Sequence, residues 1–296
     1  MPSVYEIVTQ NLIERIEREG VLPWEKPWIT SAPKNLKSGK EYRGLNVFLL
    51  SSSGFPRPEY LTYRQAEAMG ANVRKGEHGQ IITYWNVGDE RLNPKNGKVQ
   101  KPFLLRYYRV FNVTQCEVGG VPLVDALGLG REEKRPVASI EACDAFLAAI
   151  PNRCPIKASD HAWYSPSVDE IGIPDKSVFR DVESYYSTLY HELTHSTAHK
   201  SRVGREIADK PIQFGSRDYS LEELVAGCGQ ALLCGVTGIS NQTIDNDAAY
   251  LKNWLTRLRN DSKLIFTASA AAQKAADYLR GIRKESAGEV EPITEC

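Results

Sequence analysis

The sequence is poor in several things, and each shortage closes off a class of function. Six cysteines are spread over 296 residues (Cys116, Cys143, Cys154, Cys228, Cys234 and Cys296), and no two form a C-x-x-C pair. That spacing fits neither a disulfide scaffold nor a cysteine-ligated zinc site; it reads as free thiols in a cytoplasm. No run approaches the roughly 18 uncharged apolar residues of a membrane helix, so no membrane partner is expected. The first residues carry acids and lack an apolar stretch, which does not fit a signal peptide. The N-x-[ST] triplets at Asn112, Asn241 and Asn260 then carry no glycosylation meaning. Internal repeats and low-complexity tracts are missing, and a hydrophobic content of 42 % excludes wholesale disorder, collagen and coiled coil. Net charge is missing too, with 37 basic residues against 37 acidic ones.

That balance conceals an asymmetry. Between Leu22 and Gln115 stand 15 Lys and Arg against 7 Asp and Glu, a surplus of 8, while the rest of the chain holds 22 against 30. The same segment carries 13 of the 27 aromatic residues in about a third of the chain, among them Trp24, Trp28, Trp85, Tyr42, Tyr107 and Tyr108. Cations that track phosphates, interleaved with rings that stack on unpaired bases, are what a single-stranded nucleic acid binder needs. Lys40, Arg43, Arg74 and Lys75 are the candidate phosphate contacts.

Apolar spacing predicts an amphipathic helix over Tyr5–Arg18, a helical turn near Asn46–Ser51 and a helix over Thr62–Met69. Branched and aromatic runs at Gly79–Trp85 and Phe103–Val113 read as strands, with Asn96-Gly97 as a turn in the polar loop between them. Gly128, Gly130, a mixed charge run and Pro136 mark a boundary. Beyond it come a helix over Ser139–Ala149, strands at Ala162–Tyr164 and Glu170–Ile173, and helices from about Asp181, from about Ser220, and twice more. The expected fold is therefore α+β in two domains, residues 1–130 and 138–296, joined by a linker at 131–137.

The sharpest motif is His191-Glu192-Leu193-Thr194-His195, an H-E-x-x-H pattern within a helical stretch. Four residues make about one turn, so His191 and His195 can aim two imidazoles at one ion. Glu192 then stands beside the metal as a general base, taking a proton from the attacking water and returning it to the leaving amine. Leu189 and Leu193 fall on the opposite side, toward a core. A catalytic zinc site needs a third protein ligand. His199 lies roughly 12 Å along the axis from His191 by the helical rise, too far to share the ion. Position 201, where a metzincin carries histidine, is Ser201. A carboxylate from another helix remains, with Glu223 the first choice and Glu222 the second. Ser220-Leu221-Glu222-Glu223 also has the form of a capping box, in which Glu223 would only close a helix start. Two imidazoles and a carboxylate suit zinc best, with manganese the alternative.

These residues resemble the ArdC-type antirestriction family. Its amino-terminal part is matched by Pro23-Trp24-Glu25-Lys26-Pro27-Trp28, Ser38 to Asn46 (with Lys40, Tyr42 and Arg43), Arg74 to Glu77, and Tyr107 to Val113 with Gln115-Cys116. The carboxy-terminal part is matched by Trp163-Tyr164, Tyr190 to His195, Phe214 to Ser216 and Glu222 to Ala226. The resemblance implies an amino-terminal single-stranded-DNA-binding domain and a carboxy-terminal zincin-like metallopeptidase domain of gluzincin type. It also implies a plasmid-borne protein that shields DNA entering by conjugation from host restriction enzymes. One departure stands out: relatives commonly read Glu-Glu-Leu-Val-Ala-Glu, and the last position here is Gly227. A carboxylate there would buttress a ligand, so its loss bears on peptidase chemistry rather than on metal binding.

The expected DNA-binding set is thus Trp24, Trp28, Lys40, Tyr42, Arg43, Asn46, Arg74, Lys75, Trp85 and Tyr107. For Trp24 and Trp28, stacking on bases and pinning the segment to a core are equally good readings. Tyr107 and Tyr108 alternate along a strand, so one faces a core and the other is a base platform. Trp163 and Tyr164 precede the metal helix, where a zincin places its substrate strand, and core packing competes for Trp163. The rival function is a DNA-targeted intracellular metalloprotease acting on a protein substrate; a purely structural metal is the third reading.

Overall fold

The computed structural model describes residues 1–25, 32–87, 91–92, 99–100, 103–130, 140–205, 217–239 and 248–282. The expected linker at 131–137, the Asn96-Gly97 turn, Trp28 and the Phe214 to Ser216 segment lie outside the described residues.

In chain order the elements are α1 (Val4–Glu19), β1 (Lys34–Asn35), α2 (Leu45–Ser51), β2 (Glu59–Thr62), α3 (Tyr63–Ala68), β3 (Asn72–Val73), β4 (Gln80–Val87), β5 (Arg91–Leu92), β6 (Val99–Gln100), β7 (Phe103–Asn112), β8 (Cys116–Val118), β9 (Val121–Pro122) and α4 (Leu123–Ala126). After these come α5 (Ile140–Ala149), β10 (Ile156–Ala158), β11 (Trp163–Ser165), β12 (Glu170–Ile173), α6 (Val182–Ser196), α7 (Arg217–Thr237), α8 (Ala248–Asn260) and α9 (Leu264–Leu279). The fold is mixed α+β, as the pattern of runs predicts.

The amino-terminal half is built on a four-stranded sheet in the order β1-β2-β7-β4, dominated by the antiparallel β4–β7 pair from Gln80↔Val110 to Val87↔Phe103. β4 is its edge. There the Asn46 side chain covers both backbone groups of Thr83, donating to its carbonyl at 2.8 Å and accepting from its N–H at 2.7 Å. Asn46 thus occupies the outward ladder groups at one residue of that edge. The carboxy-terminal half carries the sheet β10-β12-β11, with β11 antiparallel to β12. The Trp163 ring lies over Gly172, its cross-strand partner, where any side chain would collide.

The two halves share one core. Val8, Leu12, Ile13 and Ile16 of α1 and Val47, Phe48 and Leu49 of α2 belong to the same buried cluster as α6, α7 and α9. Polar ties reinforce it: Thr9 Oγ1 donates to the Ser262 carbonyl at 2.8 Å, and the Gly44 N–H to Gln273 Oε1 at 2.8 Å. Buried Arg15 of α1 joins the Leu49 carbonyl, Ser52 Oγ and Gln80 Oε1 at 2.7, 2.6 and 2.8 Å. α1 and α2 thus belong to the first half by sequence and to the helical core of the second by packing.

Candidate metal centre and nucleic-acid interface

Helix α6 starts at Asp181, whose carboxylate accepts from the Ser184 N–H at 2.7 Å. Leu189 and Leu193 are fully buried, which fixes the rotation of the helix and leaves His191 and His195 facing α7. The two Nε2 atoms stand 3.2 Å apart. Glu223 of α7 faces both, with Oε2 at 3.6 Å from His191 Nε2 and Oε1 at 3.6 Å from His195 Nε2. One donor atom from each of the three residues lies within 4.8 Å of the others. Glu222 points elsewhere. The capping-box alternative does not hold, because α7 is already helical at Arg217 and Ser220 sits inside it.

Each imidazole is held from behind. His195 Nδ1 donates to Glu222 Oε1 at 3.2 Å, and Arg205 clamps the same carboxylate from the far side at 2.5 and 3.0 Å. Arg205 is itself anchored to the Thr194 carbonyl at 3.0 Å and to Thr197 Oγ1 at 2.6 Å. His191 Nδ1 donates to Gln230 Oε1 at 3.2 Å, and Gln230 Nε2 donates to Ser187 Oγ at 2.7 Å. Arg205, Gln230 and Ser187 are the supporting residues that sequence reading missed. Gln230 lies seven residues beyond Glu223, two turns on the same face of α7, and that spacing is the one signal available.

The electrostatics agree with the geometry. Burial pushes the Glu222 carboxyl upward, but hydrogen bonds from His195 and Arg205 outweigh it and hold the pKa below the usual value. Glu223 behaves alike, burial being overcome by the His191 hydrogen bond and both imidazoles. Burial likewise opposes charge on His195, yet Glu222 raises its pKa. With each Nδ1 turned to an acceptor behind it, the two Nε2 atoms converge on one point, where the tautomer carrying its proton at Nδ1 offers a lone pair to a cation. Tetrahedral ligands at about 2.0–2.1 Å from an ion stand roughly 3.3 Å apart, so the donor set fits a small divalent cation. Glu192 is buried next to these groups, and Tyr219, one turn before Glu223, hydrogen-bonds it. Gly227 borders an adjoining cavity of about 240 Å³, which Trp24 and Glu25 enter from the amino-terminal half.

The expected DNA contacts separate into three groups. Trp85 and Tyr107 are 49 % and 40 % exposed. Because Thr83 pairs with Tyr107 and Trp85 with Leu105, the two rings lie on one face as diagonal neighbours. Tyr108 points the other way and packs with Tyr60, Ile82 and Val110. Lys40 and Lys75 are exposed. Arg43 pairs with Asp277 of α9, and Arg74 with Glu77 at 2.8 Å, each guanidinium keeping partial exposure. The third group is a correction. Trp24 is 2 % exposed, packed edge-on against Trp254 with centroids 6.1 Å apart, so no base can reach its face. Tyr42 packs on Tyr60, where burial pushes its phenol pKa up, and Asn46 is occupied by Thr83. These three are structural.

Known proteins resemble this chain in both halves. The family model described as the N-terminal domain of anti-restriction factor ArdC matches residues 2–111, and that of a zincin-like metallopeptidase matches residues 141–271. The antirestriction ArdC protein of plasmid R388 has the same fold. Its metal-free crystal structure is 36 % identical with a TM-score of 0.74, covering 95 % of this chain and 98 % of that one. Its Mn(II)-bound structure is 34 % identical with a TM-score of 0.73, covering 97 % and 100 %. Two Escherichia coli proteins named DNA primase TraC are 34 % and 32 % identical over 93 % and 96 % of this chain, which spans only 27 % and 20 % of their lengths. The Sinorhizobium fredii protein y4eC is 31 % identical, over 96 % of this chain and 94 % of its own. The chain belongs to the ArdC antirestriction family, joining the amino-terminal domain of that factor to a zincin-like metallopeptidase domain.

Proposed function

We propose that this protein binds single-stranded DNA without sequence preference and protects plasmid DNA from restriction enzymes by covering it. The observation that carries this reading is the exposed pair Trp85 and Tyr107 on one face of the β4–β7 hairpin. A single exposed ring such as Tyr63 needs no explanation, but two adjoining ones make a contiguous apolar surface on which bases can stack. Arg109, exposed two residues beyond Tyr107 on the same face, adds a cation at the spacing of a backbone contact. Lys40 and Lys75 extend the basic surface, and Arg43 and Arg74 add partly exposed guanidiniums. Cytoplasmic residence fits the five buried thiols among the described residues.

His191, His195 and Glu223 would hold the cation, zinc by donor type and manganese by likeness to the R388 protein's Mn(II)-bound structure. A divalent cation supplies Lewis-acid chemistry at such a centre. The chain's own part is to present Glu192 as a proton acceptor and donor, and to hold both imidazoles in one tautomer through Glu222 and Gln230. Glu192, buried beside the ligands, supports the second reading, a DNA-targeted metalloprotease.

The test is DNA affinity of the full chain in a salt series. Affinity for a single strand falls steeply with salt, since each neutralised phosphate releases a counterion. Trp85→Ala or Tyr107→Ala costs about 1–3 kcal/mol. Equal affinity at low and high salt, or a preference for duplex, defeats the reading.

A further inference from the structure

We infer that the β4–β7 hairpin holds a second DNA strand on its reverse face, so that its preferred ligand is a fork, where two single strands leave a duplex. The inference rests on the reading of this hairpin as the single-strand binder, and it names the form of DNA that the hairpin fits best.

The register makes the ribbon alike on its two sides. Trp85 pairs with Leu105, so Tyr107 is its diagonal neighbour on one face; Tyr84 pairs with Arg106, so Tyr108 is its diagonal neighbour on the other. The second pair meets edge to face with centroids 6.4 Å apart. Tyr108 is tied to the core through Tyr60, Ile82 and Val110, which leaves the partly exposed Tyr84 as a ring braced from below. Leu104, diagonal to Tyr84 on the same face, is 46 % exposed, more open than Tyr107. A sheet with one face on a core alternates apolar and polar residues along each strand. This stretch does not: Tyr84 and Trp85 are consecutive, as are Leu104 and Leu105, so both faces receive apolar side chains.

Among the described residues β2 pairs with β7 only from Val110 to Asn112, and outward of Val110 β7 has β4 alone. The outer hairpin is therefore a two-stranded ribbon with exposed apolar side chains on both faces, and two strands by themselves are marginal in water. Charge selects what covers them. The segment from Leu22 to Gln115 carries a surplus of 8 cations, which draws a phosphate backbone and repels the same segment of a second copy. Side chains reach about 5 Å from the plane of a sheet, so strands stacked on the two faces run on the order of 10 Å apart. One continuous strand would have to round an edge of the ribbon to reach both faces, and Asn46 of α2 already occupies the β4 edge at Thr83. The arms of a fork start on either side of the ribbon.

The experiment measures, by anisotropy at one salt concentration, the affinity of the full chain for labelled DNAs. These are a duplex with two non-complementary arms, the same duplex with one arm, a blunt duplex, and a single strand as long as both arms together. Because the second arm binds intramolecularly, the fork binds at least about tenfold tighter than the one-armed duplex or the long single strand, with one protein per DNA by mass photometry. Leu104→Asp, at an exposed position, places an anion on the reverse face; it reduces that advantage to less than about threefold and leaves one-arm affinity within about twofold. Tyr84→Ala, which removes the ring that stacks on a base, does the same, and thermal melts of both variants guard against a folding artefact. Equal affinity for one arm and two, equal affinity for the long single strand, two proteins on each fork, or an advantage that survives both variants overturns the second strand site while the single-strand reading stands. No affinity for any of the single-stranded or armed DNAs overturns that reading, and the fork with it.

Discussion

Gly229 of α7 lies directly against Thr194 of α6: a Cβ at position 229 would stand 2.4 Å from Thr194 Cγ2 and 2.6 Å from its Oγ1. Thr194 sits within the His191–His195 turn, fully buried, and its hydroxyl donates to the Tyr190 carbonyl at 2.8 Å. This contact sets how closely the ligand helix approaches the histidine helix. Gly229→Ala forces the two apart, and overpacking of about 1–3 kcal/mol exceeds the helix-propensity gain of about 1 kcal/mol. Urea unfolding shows a net loss, and metal affinity falls with it. Two residues away the sign reverses. Gly227→Ala meets Trp24 at 3.7 Å without strain and raises stability by about 0.5–1 kcal/mol. Equal effects at both positions would contradict the account.

Glu222 and Glu223 are neighbours in sequence with different tasks. Glu223→Ala removes a candidate ligand, and stoichiometric metal is lost on dialysis, as it is with His191→Ala or His195→Ala. Glu222→Ala leaves the donor set intact but frees His195 from its support, so metal affinity drops by about 10–100-fold. Arg205→Ala, which reaches the metal only through Glu222, gives a smaller loss in the same direction. Elemental analysis with a competing chelator separates these outcomes. Full metal in Glu223→Ala with none in Glu222→Ala would reverse the assignment.

The tryptophans divide in the same way. Trp24→Ala opens a hole beside Trp254 and lowers unfolding stability by about 3–5 kcal/mol. At temperatures where the variant stays folded, its DNA affinity equals that of the unaltered chain. Trp85→Ala does the opposite, sparing stability because the ring is half exposed, and weakening DNA binding. Thermal melts paired with DNA titrations check both.

Some of this was legible in the sequence, and for identifiable reasons. His191, Glu192 and His195 lie on one helix, so spacing alone relates them, and the buried Leu189 and Leu193 orient that helix as the apolar pattern requires. The β4 and β7 runs announce themselves by branched and aromatic residues, and their alternation separates Tyr107 from Tyr108. What failed to show depends on contacts between elements. Ser220 imitates a helix start because the capping-box pattern is local, while α7 begins earlier. For Trp24 the sequence leaves base platform and core anchor equally good, and only Trp254 of α8, packed against it, decides for the core. The pairing of His191 with Gln230 exists only because Gly229 lets α7 come close to α6, a fact of packing that no periodicity encodes. For the same reason α1 reads as part of the first half, yet its apolar face belongs to the core of the second.

The central claim is that protection comes from covering DNA rather than from proteolysis, and one measurement addresses it directly. A plasmid substrate is digested by a restriction enzyme in the presence of the full chain or of Glu192→Ala, with metal content and DNA affinity confirmed for both. Glu192 is buried on the α6 side of the metal centre, while the candidate DNA face is the β4–β7 hairpin. The account predicts equal protection by the two proteins. If the variant folds, keeps its metal and binds DNA, yet its protection falls by the roughly 10²–10⁴-fold expected from loss of a general base, the account is wrong and the protein acts as a protease.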